Sequence, residues 1–213
     1  MGVGRVESPW AVVEAFERAL ADYTGAPDVV TVDSCTNALG LCLRWRKRER
    51  ESRRISPYRP LVYLPRRTYV GVPMQALHAG YRLDWRDEDW TGEYECQPFA
   101  VWDAAKRFTS GMYTRPGSLV CVSFHVGKIL ALGRGGAILT DDPAAAAWFR
   151  RMRHDGRTPG VPTEADTITE AGFHCALSPP EAALGLWRLS WMAKDNPDLP
   201  NEHTDISGHP VFA

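Results

Sequence analysis

CVSFHVGKILALGRGGAILTDD, residues Cys121 to Asp142, is the stretch from which the rest of the chain can be read. An apolar run from Leu119 to Val122 passes into Ser123-Phe124-His125, and a single lysine, Lys128, follows. A glycine-dense turn, Gly133-Arg134-Gly135-Gly136, then leads to a second apolar run from Ala137 to Thr140. This predicts strand, loop, strand, with one lysine presented on the loop. Lysine is expensive to bury unless it is paired or covalently used. Among apolar residues and glycines its jobs reduce to phosphate ligand, general base or Schiff-base former. A phosphate-binding P-loop needs Gly-x-x-x-x-Gly-Lys-Ser/Thr, which is absent from the sequence, and the Schiff base is the better fit.

Bulk properties narrow the field. The 213 residues suffice for one sizeable domain with its own core. Twenty-five Lys and Arg against 26 Asp and Glu give a net charge of −1, so no global charge argues for nucleic acid. The five cysteines (35, 42, 96, 121 and 175) form no Cys-x-x-Cys pair and no zinc spacing. Lying in apolar elements, they suggest reduced thiols and a cytoplasmic location. No secretory leader is expected from the region of Arg5, Glu7 and Pro9, and no metal site is indicated. No apolar run approaches the roughly 20 residues of a membrane span.

Along the chain, Ser8-Pro9 reads as a helix start, Trp10, Val13, Phe16 and Leu20 as its apolar face, and Gly25 as its C-terminal cap. After a strand at Val29 to Val32, Asp33-Ser34-Cys35-Thr36-Asn37 runs straight into a second helix. Its N-terminal N–H groups and partial positive charge suit a phosphate, although Ser34 and Thr36 could equally be plain caps. Arginines and lysines from Arg44 to Arg54 continue that helix, by default a solvated face, alternatively a nucleic-acid contact. Strands follow at Leu61 to Leu64 and Gly80 to Trp85, with a helix at Val72 to Leu77 between them. Trp85 to Glu95 reads as a surface connection. Phe99 to Trp102 is a buried strand ending at Asp103, where open α/β sheets place ligand contacts. A helix is expected over Pro143 to Arg153, and another over Pro179 to Met192 with Trp187 and Trp191 on its apolar side. The adjacent His154 and Asp155 have no further support as a catalytic pair. Residues 194–213 turn polar and read as a poorly ordered tail after a domain spanning 1–193.

Ser-Phe-His-x-x-Lys, the Gly-x-Gly-Gly turn and Thr-Asp-Asp together resemble the internal-aldimine segment of the DegT/StrS-type sugar aminotransferases, with further motifs in family order from about Phe16 to Trp187. The resemblance implies the large domain of a fold-type I pyridoxal 5'-phosphate enzyme: α/β, a mostly parallel sheet flanked by helices. It makes Lys128 the aldimine lysine and Asp103 the partner of the pyridine nitrogen. Ser34, Cys35, Thr36 and Ser123 become phosphate ligands, with Cys35 standing where glycine is usual. Tyr69, in Pro-x-x-Thr-aromatic, becomes the ring-stacking residue, and His125 an orienting neighbour or a structural histidine. Lys106 replaces the glutamine or histidine that usually lies near the ring. His174 replaces an asparagine that reaches the partner subunit's cofactor phosphate, which implies a homodimer. The implied reaction is amino transfer from an amino-acid donor to a keto sugar, with most of the family's C-terminal domain outside this sequence. Two other readings remain: different pyridoxal-phosphate chemistry on another amine or a nucleic-acid-linked substrate, and a dimerising homologue without catalysis.

Overall fold

The computed structural model describes residues 8, 10–55 and 58–212, so Pro9 of the expected helix start lies outside the described residues. The first helix, α1 (Ala11–Thr24), ends as the sequence suggests: Gly25 is left-handed at φ 77° and its N–H reaches the Ala21 carbonyl at 2.8 Å. The chain continues through β1 (Asp28–Val32), α2 (Cys35–Ser52), β2 (Leu61–Pro65), α3 (Gly71–His78) and β3 (Arg82–Arg86). Then come β4 (Tyr94–Cys96), β5 (Val101–Asp103), β6 (Leu119–Ser123), β7 (Gly136–Thr140), α4 (Pro143–Met152) and α5 (Pro179–Leu189).

The α/β class holds, while the strand pairing corrects the expectation of a mostly parallel sheet. The main sheet has the order β1-β7-β6-β5-β4, and only β5 with β6 pair in parallel. A separate parallel pair, β2 with β3, adjoins it where Tyr63 and Gln97 exchange backbone hydrogen bonds in the antiparallel sense. The cause is local. The loop carrying Lys128 turns β6 straight back into β7, which is wedged between β6 and β1. Five strands (β1, β2, β3, β5 and β6) still run the same way, with β7 and β4 reversed, so their carboxyl ends share one edge.

Strand alternation sorts the core into two layers. Val30, Val32, Cys121 and Ile138 face α2, α3 and α4. Val29, Val120, Val122 and Leu139 face α1 and α5. All five cysteines are buried and unbridged. On α5, Ser178 and Glu181 form a reciprocal cap, while Ala182, Gly185 and Leu189 turn inward and Gly185 lies against the Phe16 ring. That orientation sends Trp187 and Trp191 outward, 62% and 79% exposed, against their expected place on the apolar side. A helix face is chosen by its closest packing partner, and a tryptophan has no room above Phe16.

Thr31 breaks the apolar run of β1 for a reason. Its N–H and hydroxyl both donate to Glu17 of α1 at 2.8 Å, and Arg153, just past α4, closes a buried ion pair with the same carboxylate. Arg153 also donates to the Thr31 carbonyl at 2.7 Å. Removing one member of such a pair strands a buried charge, so Arg153→Met should cost about 3–5 kcal/mol in urea denaturation. The double change Glu17→Leu with Arg153→Met should recover most of that loss.

Candidate active site

The shared carboxyl edge gathers the end of β1 (Asp33, Ser34), the end of β2 (Thr68, Tyr69), the end of β5 (Asp103 to Lys106) and the end of β6 (Ser123 to Lys128). Between them lies a cavity of about 570 Å³. Ser34, Cys35, Thr36, Tyr69, Asp103, Lys106, Ser123, His125 and Lys128 all line it. His174 does not. It stands on the surface, where its Nδ1 meets Asp155 Oδ2 at 3.0 Å. Asp155 therefore pairs with His174 rather than with the adjacent His154.

One end of the cavity is an anion cradle. Ser34 is extended and caps α2, accepting from the Asn37 N–H at 3.2 Å, which leaves the first N–H groups of the helix without intrahelical acceptors. Cys35 is the first helical residue and has no positive φ, so the glycine usual at that position is not needed for the turn. Ser123 is buried at the adjacent strand end, its oxygen accepting from the His125 N–H at 3.4 Å. Among the described residues neither the Ser123 hydroxyl hydrogen nor the Thr36 hydroxyl has a protein acceptor. The returning chain seals the cradle from behind. Ser34 bridges Gly135, and a Cβ on Gly136 would lie 2.5 Å from the Cys35 nitrogen and 2.7 Å from the Ser34 carbonyl carbon. Gly136→Ala should therefore displace the α2 N-terminus. The expected result is a lower melting temperature together with weaker binding of a phosphate ester.

Asp103 forms the floor. It is 4% exposed, and its oxygens accept from the Tyr94 hydroxyl at 2.9 Å and the Ala105 N–H at 3.0 Å. Tyr94 in turn shares a 2.6 Å bond with the Thr68 hydroxyl. Burial pushes the Asp103 carboxyl above its ordinary range, against the pull of these hydrogen bonds and of Lys128. Among the described residues no cation forms an ion pair with it. A buried carboxylate held by neutral donors favours a ligand that brings a positive charge.

Lys128 hangs over the cavity from the turn after β6, its N–H bonded to the His125 carbonyl at 2.9 Å. Its amine is half-buried. Burial, then the positive charge of Lys106, moves it below the usual lysine range, and Asp103 opposes them. The His125 ring is exposed and accepts from the Gly127 N–H at 3.5 Å. Its contribution to Lys128 is the backbone carbonyl.

The opposite wall comes from residues that the sequence reading left out. Trp90, in the supposed surface connection, and His203, in the supposed tail, both line the cavity with Tyr69. The His203 ring lies 6.1 Å from Tyr69 and 6.4 Å from Trp90. Arg134 stands at the rim, paired with Asp33 at 2.9 Å. The expectation of a poorly ordered tail is corrected here. Leu199 N–H bonds the Lys106 carbonyl at 2.8 Å, its own carbonyl accepts from Gly92, and Ile206 N–H reaches Arg66. Ile206 and Phe212 are 7% and 8% exposed. Widely spaced apolar anchors and backbone bonds hold the segment, and neither leaves a periodic signal in a polar composition. Within the basic run from Arg44 to Arg54, Arg46 and Arg53 pair with Glu49, Lys47 with Glu51, and Arg48 with Glu170. Among the described residues no helix is long and apolar enough to cross a membrane.

No curated protein matches the chain. Solved structures do, at identities that establish the fold. The sugar aminotransferase CalS13 from Micromonospora echinospora is 21% identical with a TM-score of 0.65, over 84% of this chain and 60% of that one. DesV from S. venezuelae, solved in complex with a ketimine intermediate, gives 21% and 0.64 over 85% of this chain and 57% of its own. PseC from Helicobacter pylori, an aminotransferase involved in pseudoaminic acid biosynthesis, gives 16% and 0.62 over 84% and 57%. The chain thus spans less than two-thirds of the length of each. The DegT/DnrJ/EryC1/StrS aminotransferase family matches residues 4–82 and 103–197, leaving outside the segments that carry Trp90, Tyr94, Glu202 and His203. With matches on both sides of the cavity that include Ser34, Asp103 and Lys128, the chain belongs to the DegT/DnrJ/EryC1/StrS aminotransferase family.

Proposed function

We propose that this chain is the cofactor-binding part of a pyridoxal 5'-phosphate-dependent aminotransferase that moves an amino group from an amino-acid donor to a keto sugar or nucleotide-linked keto sugar. One observation carries the reading: an anion cradle, a buried carboxylate with no ion pair among the described residues, and a lysine amine depressed by burial occupy three corners of one cavity. These match a phosphate, a protonated ring nitrogen and a carbonyl. Pyridoxal phosphate, when bound, supplies that carbonyl and a conjugated ring that accepts an electron pair.

The chain's own residues do the rest. Ser34, Thr36, Ser123 and the N–H groups at the start of α2, Cys35 among them, hold the phosphate. Asp103, braced by Tyr94 and Ala105, holds the proton at the ring nitrogen. Tyr69 offers its ring face for stacking. Lys128 Nζ would be the amine that holds the carbonyl end, and as a free amine it would take and return protons as a general base. Trp90 and His203 close the wall against water. His174 is exposed on the surface, in keeping with the homodimer that the family resemblance implies and with a contact to the partner subunit's phosphate. Glu49, Glu51 and Glu170 weaken the nucleic-acid reading, since they offset part of the charge a phosphate backbone would meet.

The test is a half-reaction. Full-chain protein loaded with pyridoxal phosphate should absorb near the visible edge and lose that band on adding an L-amino acid donor such as glutamate. Nucleotide-linked keto sugars, tried one by one, should restore it. A band that no amino acid discharges would count against amino transfer while leaving cofactor binding intact.

A further inference from the structure

Lys106 has no place in the roles above, yet its backbone is clamped on both sides and the residue is buried at the cavity wall. It follows Asp103-Ala104-Ala105 off β5, and the residue is only 9% exposed. Its N–H bonds the Gly92 carbonyl at 3.1 Å and its carbonyl accepts from the Leu199 N–H at 2.8 Å. Both clamps come from segments outside the family match. Its ammonium has one ionic partner among the described residues, Glu202 at 3.6 Å, whose own side chain is 76% exposed. An exposed carboxylate at that distance offsets little of the cost of drawing a lysine inward. The interior around it holds a second lysine, Lys128, lining the same cavity. Two positive charges on the walls of one cavity repel each other.

We propose that Lys106 is a positioning residue for Lys128: its charge, carried on a backbone clamped by Gly92 and Leu199 and paired with Glu202, shifts the Lys128 amine toward the neutral form that attacks a carbonyl. A neutral amine is the nucleophile, and a like charge nearby disfavours protonation. The groups that act on Lys128 divide by sign. Lys106 and the buried setting favour the neutral amine; Asp103, Cys35 and Glu202 favour the ammonium. Arg134 and His125 line the same cavity from the loop side, and His203 faces it from the C-terminal segment, its imidazole moved below the ordinary value by burial and then by the Lys106 charge. The inference rests on reading Lys128 as the carbonyl-capturing amine.

The measurement needs no cofactor. Cofactor-free full-chain protein is treated with acetic anhydride across a pH series, and acetylation of Lys128 is quantified by peptide mass spectrometry. In Lys106→Gln, Lys128 should titrate at higher pH and react several-fold more slowly at neutral pH, with the difference vanishing in alkali. Lys106→Arg, which keeps the charge, should restore the wild-type profile. A Lys106→Gln profile that overlays the wild type overturns the proposal, as does a Lys106→Arg profile displaced as far as that of Lys106→Gln. Should Lys106→Gln not fold, Glu202→Gln, an exposed change, should move the Lys128 titration downward, and failure to do so counts against the charge argument. Acetylation reads the amine alone. A wild-type protein that binds no pyridoxal phosphate would sink the functional reading and leave this result standing.

Discussion

Lys128→Ala protein should fold normally, bind pyridoxal phosphate without a covalent link, and lose amino transfer. The half-buried side chain leaves no cavity in the core when it is shortened, because it projects from a loop into open space at the carboxyl edge. Stability should therefore stay within about 0.5 kcal/mol of the parent, the usual range for substitutions outside the core. Losing the base alone should lower turnover by about 10²–10⁴-fold. Losing the carbonyl-capturing amine adds to that. The proposed phosphate ligands Ser34, Thr36 and Ser123 are untouched, so the cofactor should still be retained and should leave on dialysis more readily than from the parent. Circular dichroism, absorbance before and after dialysis, and single-turnover rates check each part.

Asp103→Asn is the second large effect, and it separates electrostatics from packing. The amide fits the space: its oxygen accepts from the Ala105 N–H, and its NH2 donates to the Tyr94 hydroxyl, which can turn its own hydrogen to Thr68. It brings no negative charge to a ring nitrogen, so activity should fall on the order of 10²–10³-fold, as for other fixed charges aimed at a developing charge. Stability should move the other way. Burial raises the Asp103 carboxyl above its ordinary value, so without cofactor the ionised form opposes folding. That penalty is present at neutral pH and disappears as pH falls below the carboxyl's ordinary value of 3.8. Cofactor-free Asp103→Asn should thus melt above the parent at neutral pH, with the gap closing in acid. Asp103→Ala behaves differently. It leaves the Tyr94 hydroxyl and the Ala105 N–H unsatisfied, at about 1–3 kcal/mol each.

The residues that meet in the cavity were legible where the signal is local. A serine before a helix, an acid at the end of a buried strand and a lysine between glycines are short motifs, and strand direction alone brings Ser34, Asp103 and Lys128 to one edge. Strand pairing was not local. Nothing in the Ala137 to Thr140 run says that it inserts between β1 and β6, because partners are chosen across the whole sheet. Tyr94 and Thr68 escaped because their role is a relay to Asp103 that exists only once three strands meet. The C-terminal segment misled for a related reason. Its order comes from backbone bonds to Lys106 and Arg66 and from anchors at Ile206 and Phe212, which a polar, proline-bearing composition conceals. Trp187 and Trp191 were assigned inward on hydrophobicity, whereas close packing against Phe16 selected the Gly185 face.

The central claim is that Lys128 captures the cofactor carbonyl within the cavity beside Asp103. Full-chain protein loaded with pyridoxal phosphate, reduced with borohydride, digested and mapped by mass spectrometry tests it most directly. The account predicts a single stable adduct on Lys128, with Lys106 unmodified and the adduct absent from Lys128→Ala. An adduct on Lys106, or protein that remains colourless and unlabelled, would contradict it.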